Sequence, residues 1–288
     1  MKRQALLVLC GACHAARPPV SVAALDLSVD DVGRETRFYV DGLGFVATAP
    51  GQVALGTEHV AFATGSGRAA PPDSRANDLW FEHMAIVVSD MDAAVARVGR
   101  LGIRPISDGP QTLPATNPAA GGIRAFYFRD ADGHSLELIW YPPGKGDPRW
   151  QDYGGRLFLG IDHTAIAVAD TERSLRFYRD LLGLDVNGGS LNEGVEQERL
   201  SGVPGARVRI TGLRGAGGPG VELLEYLAPR DGRPAPADTR PGDRWYWEIV
   251  VVVAQGTRAR LAAAGVPLDG DVVTDPDGHH VRISEVDR

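Results

Sequence analysis

The sequence predicts an α+β fold in which one unit, strand–helix–three strands, occurs four times. The chain repeats itself: Ala70-Pro-Pro-Asp-Ser-Arg-Ala-Asn-Asp-Leu-Trp80 returns as Ala235-Pro-Ala-Asp-Thr-Arg-Pro-Gly-Asp-Arg-Trp245, Arg37-Phe-Tyr39 as Arg176-Phe-Tyr178, and Asp130-Ala-Asp-Gly-His134 as Asp275-Pro-Asp-Gly-His279. Repetition at this scale marks a duplicated structural unit. Each copy also divides into two parts, because every quarter of the chain opens on an apolar strand and continues into a capped helix.

The quarters, called modules here, follow one plan. Their first strands are read at 22–29, 83–88, 163–168 and 248–253. The first three helices open on Asp30/Asp31, Ser89/Asp90 and Ala169/Asp170, where acidic or hydroxyl side chains cap free N–H groups. The fourth begins near Gln255–Thr257 with weaker capping chemistry. All four close on glycine, at Gly44, Gly102, Gly183 and Gly265, as expected where φ turns positive. In modules two and four an Asp-Gly turn joins the last two strands. The strand after the first of these turns alternates, with Leu136, Leu138 and Trp140 on one face and Glu137 and Ile139 on the other. A carboxylate in so apolar a strand is costly to bury unless it is paired or bound to a metal.

With 288 residues, 43% hydrophobic and 23% charged, the chain has the composition of a folded protein with room for two ordinary domains. The repeat places a first unit at 20–145 (modules one and two) and a second at 158–288 (modules three and four). A net charge of −7 without a basic block argues against nucleic acid as a partner. No apolar run after residue 20 is long enough to span a bilayer. Residues 1–19 read as an export signal and tether: Met1-Lys-Arg supplies positive charge, Ala5 to Leu9 an apolar run, and small residues around Ala12 and Ala15 a cleavage region. The expectation is a periplasmic or secreted protein, lipid-anchored if the cut precedes Cys13; a mis-assigned start would make it cytoplasmic.

The segments Ile161-Asp-His-Thr-Ala-Ile-Ala-Val168, Ser174-Leu-Arg-Phe-Tyr-Arg-Asp-Leu-Leu-Gly-Leu184 and Phe128-Arg-Asp-Ala-Asp-Gly-His-Ser-Leu-Glu-Leu138 resemble the vicinal oxygen chelate superfamily. That superfamily includes glyoxalase I, extradiol dioxygenases and bleomycin resistance proteins. The resemblance covers nearly all of residues 20–288. It implies βαβββ modules paired into cup-shaped domains, with a metal held in the cup by His and Glu from the first and last strands. Carried onto this chain, it gives His83 and Glu137 in module two and His163 and Glu222 in module three. Module one has Ala24 at the His163 position, and its last strand, near Thr57-Glu58-His59, does not align. Module four has Glu248 and Arg282 at the His83 and Glu137 positions, and arginine cannot ligate a cation.

Modules one and four are also the short ones, by 26 and 20 residues on the offsets of the repeats. Ligand loss and shortening thus coincide, which favours pairing module one with four and two with three. One cup would then keep His83, Glu137, His163 and Glu222, and the other would hold Glu248 against Arg282. The simpler pairing, one with two and three with four, would split the ligands between cups. Two imidazoles and two carboxylates suit one divalent ion such as Zn, Ni, Co, Mn or Fe. The resemblance implies a metal-dependent isomerase or lyase acting on a small oxygen-rich substrate, with Glu137 or Glu222 as base. An extradiol-type Fe(II) dioxygenase and a metabolite- or drug-sequestering binding protein are the alternatives. For substrate contacts, the long loop 107–122 offers Gln111 and Asn117, and Arg124 and Tyr127 follow it, with Trp140 and Tyr226 as further candidates for the cup wall. The chain is expected to be a monomer or homodimer.

Overall fold

The structure, a computed structural model, describes residues 20–286. Module one runs β1 (Ser21–Val29), α1 (Val32–Arg37), β2 (Val46–Ala49), β3 (Gln52–Leu55) and β4 (Glu58–Thr64). Module two runs β5 (Glu82–Val88), α2 (Met91–Val98), β6 (Arg104–Pro105), β7 (Gln111–Thr112), β8 (Arg124–Arg129) and β9 (Ser135–Trp140). Module three runs β10 (Phe158–Val168), α3 (Thr171–Leu175), β11 (Asp185–Glu193), α4 (Val195–Ser201), β12 (Arg207–Arg214) and β13 (Gly220–Ala228). Module four runs β14 (Trp247–Ala254), α5 (Thr257–Ala263), β15 (Leu268–Asp269), β16 (Val272–Thr274) and β17 (His280–Val286). The unit recurs four times, with β7 and α4 as additions to modules two and three. The export-signal reading, with Cys10 and Cys13, lies outside the described residues. Among the described residues, no helix is long and apolar enough to cross a membrane.

The helix boundaries follow from local chemistry. Asp31, Asp90 and Asp170 each accept a hydrogen bond from the backbone N–H three residues on, at 2.8–2.9 Å. The fourth helix starts at Gly256 without a side-chain cap. All four closing glycines have φ between 72° and 97°.

The pairing is crossed. One sheet has the order β15-β16-β17-β14-β1-β4-β3-β2 and joins modules one and four; the other, β11-β12-β13-β10-β5-β9-β8-β6, joins modules two and three. Each repeat unit therefore gives one module to each sheet. The two Pro/Asp/Arg-rich linkers cross and clasp each other with equivalent contacts. Arg68 bonds Asp243 and lies over Trp245, while Arg233 bonds Asp78 and lies over Trp80, with Nη2–Oδ2 distances of 2.7 and 2.6 Å.

Strand alternation separates two environments. Met84, Ile86, Leu136, Leu138, Ile166, Val221 and Leu223 face the helices and join one apolar core shared with the module-one and module-four sheet. The opposite face of the module-two and module-three sheet carries His83, Ala85, Glu137, Ile139, His163, Ala165 and Glu222, and it forms the wall of the cup.

Candidate metal centre

The register of the sheet explains the convergence on that face. Ala85 lies opposite His163 and beside Glu137, while Ala165 lies opposite His83 and beside Glu222. Two fully buried alanines thus sit among four donor residues, and their methyl groups leave the space above them to the donors. His83 Nε2 stands 3.0 Å from Glu137 Oε2; His163 Nε2 stands 3.4 Å from the same oxygen and 3.5 Å from Glu222 Oε2. Donor atoms of His83, Glu137 and His163 all lie within 4.8 Å of one another, and all three residues are buried. Glu222 is the accessible member, its side chain 28% exposed against 1–5% for the other three.

A cation fits this cluster. Among the described residues, neither ring nitrogen of buried His83 has a hydrogen-bond partner, although Nε2 faces Glu137 at 3.0 Å, a costly arrangement unless an ion takes the lone pair. Burial disfavours charge on His163, yet Glu222, Asp162 and Glu137 hold its pKa well above the ordinary imidazole value. The two imidazoles pull the Glu137 carboxyl below its usual range against burial. Burial raises Glu222, with His163 offsetting part of the effect. The surplus of carboxylates favours positive charge at the centre.

Asp162 completes the arrangement. A β-bulge between Ile161 and His163 lets two successive residues serve one site, where strict alternation would send them to opposite faces. Asp162 Oδ2 meets His163 Nδ1 at 2.9 Å, leaving Nε2 to the centre. Asp162 also accepts hydrogen bonds from Tyr141 Oη at 3.0 Å, Trp150 Nε1 at 2.9 Å and Arg214 Nη2 at 2.8 Å. Burial alone would raise its carboxyl, but His163, Arg214 and Trp150 hold it far below the normal carboxylate range. The same bulge occurs in β1 between Val22 and Ala24, where no donor follows it.

The cup holds a half-open cavity of about 820 Å³ that reaches Glu137, His163 and Glu222, with Tyr127, Ile139 and Tyr141 on its wall. Tyr127 packs against His83 with ring centroids 4.7 Å apart and ring planes tilted by 48°. Three of the residues expected to contact substrate are placed elsewhere. Arg124 points to the helix side of its strand, where Asp92 engages both its terminal nitrogens at 2.7 and 3.2 Å. Gln111 turns back to donate to the Gly109 carbonyl, outside the cavity wall. Asn117 is a latch: it donates to Asn192 Oδ1 and the Leu191 carbonyl of β11 and accepts from Ala119 and Ala120 N–H. It holds the long loop so that Leu113, Ala119 and Ala120 close the cup. Trp140 packs on the helix side, and Tyr141 takes the wall position instead. Tyr226 is buried in a cluster with Tyr127 away from the cavity lining.

Among the described residues, the other cup holds no equivalent. Ala24 and Ala61 stand at the His163 and Glu222 positions by register, while Asp26 and Val250 replace the two alanines. Arg282 Nη2 lies 2.5 Å from Glu248 Oε2, and Tyr246 Oη donates to Glu248 Oε1 at 2.7 Å. An internal ion pair occupies the place of the metal ligands.

A family model described as "Glyoxalase/Bleomycin resistance protein/Dioxygenase superfamily" matches residues 21–138 and 160–284, and the chain belongs to that superfamily. No curated protein matches the sequence. Among solved structures, glyoxalase I from Zea mays is similar at 16% identity and a TM-score of 0.58, covering 92% of each chain. A point mutant of that enzyme gives 15% and 0.58, covering 93% of this chain and 94% of that one. A Bacillus subtilis protein, provisionally described as a dioxygenase, gives 13% and 0.53 over 94% and 86%. At these identities the likeness is one of fold.

Proposed function

We propose that the protein is a divalent-metal-dependent enzyme of the isomerase or lyase type that acts on a small, oxygen-rich substrate. The observation that carries this reading is the buried convergence of His83, Glu137 and His163, with Glu222 beside them, at a half-open cavity. These residues would hold one ion of the Zn, Ni, Co, Mn or Fe group. When bound, it would act as a Lewis acid toward adjacent substrate oxygens.

The chain's own residues divide the remaining work. Glu137 contacts both imidazoles and is fixed, which suits a ligand. Glu222 touches one of them and opens to the cavity, which suits a base that accepts a proton from substrate carbon and returns it to a neighbouring atom. Asp162 keeps His163 in one tautomer. Leu113, Ala119, Ala120 and Tyr127 limit water in the cup. A three-residue set of two histidines and one carboxylate also favours a second reading, an Fe(II) dioxygenase with Glu222 outside the ligand set.

Metal analysis, followed by stripping and refilling with each ion under an assay panel of both reaction types, tests the choice. The Glu222→Gln variant should keep its ion and lose roughly 10²–10⁴ in turnover as an isomerase or lyase. Full turnover with retained iron and consumed oxygen would replace this reading with the dioxygenase.

A further inference from the structure

The charged groups on the cavity wall are nearly all answered from within the protein. Arg214 gives both terminal nitrogens to Asp162, one to the carboxylate and one to the carbonyl. His163, Glu137 and Glu222 belong to the candidate metal centre. Arg149 is different. It belongs to the short turn Pro148–Gln151 in the segment joining the two repeat units, so it has no counterpart in any module. Its Nη1 donates to Glu58 Oε1 at 2.8 Å, and its guanidinium lies over the Trp150 ring at 3.8 Å. Asp147 approaches only to 3.9 Å, on the Nε side. Among the described residues, Nη2 donates to nothing.

Glu58 holds this arginine in place. Its carboxylate is 1% exposed and accepts from Arg149, from Thr57 Oγ1 at 2.7 Å and from the Ile161 N–H at 3.2 Å. The slot exists because two neighbours are glycine. A Cβ on Gly160 would stand 2.8 Å from Glu58 Oε2 and 2.7 Å from Trp150, and a Cβ on Gly56 3.2 Å from the same carboxylate oxygen. Glu58 comes from module one, so the half that has lost its metal ligands reaches into the cup that keeps them. Trp150 in turn bonds Asp162, and Asp162 bonds His163. Arg149 is 39% exposed whereas Glu137 and His163 are 5% or less, so it stands at the rim of the cavity that these two residues line more deeply.

We propose that Arg149 receives an oxyanion, a carboxylate or phosphate, borne by the end of the substrate that points away from the metal ligands. This rests on the metal reading above and adds a substrate class to it: a small molecule with paired oxygens at one end and an anion at the other. A guanidinium stacked on an indole and fixed along one edge loses little freedom on presenting its other edge, and that planar edge matches an oxyanion. The cavity, at about 820 Å³, has room for such a molecule.

Hydroxamates chelate divalent ions through two adjacent oxygens and supply the probes. Metal-loaded protein is titrated calorimetrically with straight-chain monohydroxamates of the dicarboxylic acids from succinic to suberic. Analogues ending in methyl or carboxamide serve as controls. At one chain length the carboxylate should bind about tenfold more tightly than either control, in the range expected for a charge-assisted pair. Arg149→Gln should erase that preference while the methyl-ended probe binds as before, which also shows that the variant is folded and loaded. Equal affinity of all three end groups at every length in the unaltered protein overturns the proposal, as does a preference that survives in Arg149→Gln. Failure of every hydroxamate to bind removes the metal reading itself, and this inference with it.

Discussion

Asp162 shows how much one side chain can decide. It is 3% exposed, bonds four neighbours and fixes the ring nitrogen that His163 turns to the centre. Asp162→Asn should weaken metal affinity by roughly 10–100-fold, the usual cost of losing a carboxylate behind a ligating histidine. Calorimetric titration of the stripped protein measures this, and nitrogen NMR of His163 should show mixed tautomers. Unchanged affinity would reduce Asp162 to a packing role. This residue is visible in the sequence as the neighbour of His163, but period-two alternation assigns the pair to opposite faces, and only the bulge overrides it. The candidate ligands are legible because His/Glu positions recur in two modules. Arg124 misleads for the opposite reason: a loop-adjacent arginine reads as a ligand contact, whereas strand parity commits it to the helix side with Asp92.

At the scale of elements, the buried end of helix α1 carries an unusual carboxyl. Glu35 is fully buried, and burial together with Asp130 and Asp132 pushes its pKa up to about 10. Its carboxyl lies near those of Asp130 and Asp132 across the seam between the two sheets, and their negative charge disfavours its ionisation. The folded protein therefore holds a proton there that the unfolded chain releases above the ordinary glutamate value of 4.5. Stability from this residue falls as pH rises between about 4.5 and 10, because the folded state binds the extra proton. Glu35→Gln should raise the melting temperature at pH 9 more than at pH 5, as measured by thermal scans across that window. An equal effect at both ends would show that Glu35 is not protonated in the fold. The crossed linkers make a second prediction. Asp78 is buried beneath Arg233, which is 37% exposed, so solvent screens part of the pair; Asp78→Ala should cost about 2 kcal/mol in denaturant unfolding. The helix caps and closing glycines are readable residue by residue because capping is local chemistry. The clasp is not, since it joins residues 155 or more positions apart, as from Asp78 to Arg233.

The whole molecule is a duplicated chain whose halves exchange modules, so one sheet carries the cluster of His83, Glu137 and His163 with Glu222 beside it, and the other an ion pair. The repeat offsets show which modules have lost ligands and length together, and that coincidence points to the crossed pairing the sheets display. The contribution of Glu58 to the surviving cup cannot be read in the same way, because the module-one segment that bears it does not align with the others. The most direct measurement is metal stoichiometry in refilled protein, made on the unaltered chain and on the His83→Ala and Glu248→Ala variants. One ion per chain is expected in the unaltered protein and in Glu248→Ala, and none in His83→Ala. Two ions per chain, or an ion retained by His83→Ala and lost from Glu248→Ala, would contradict it.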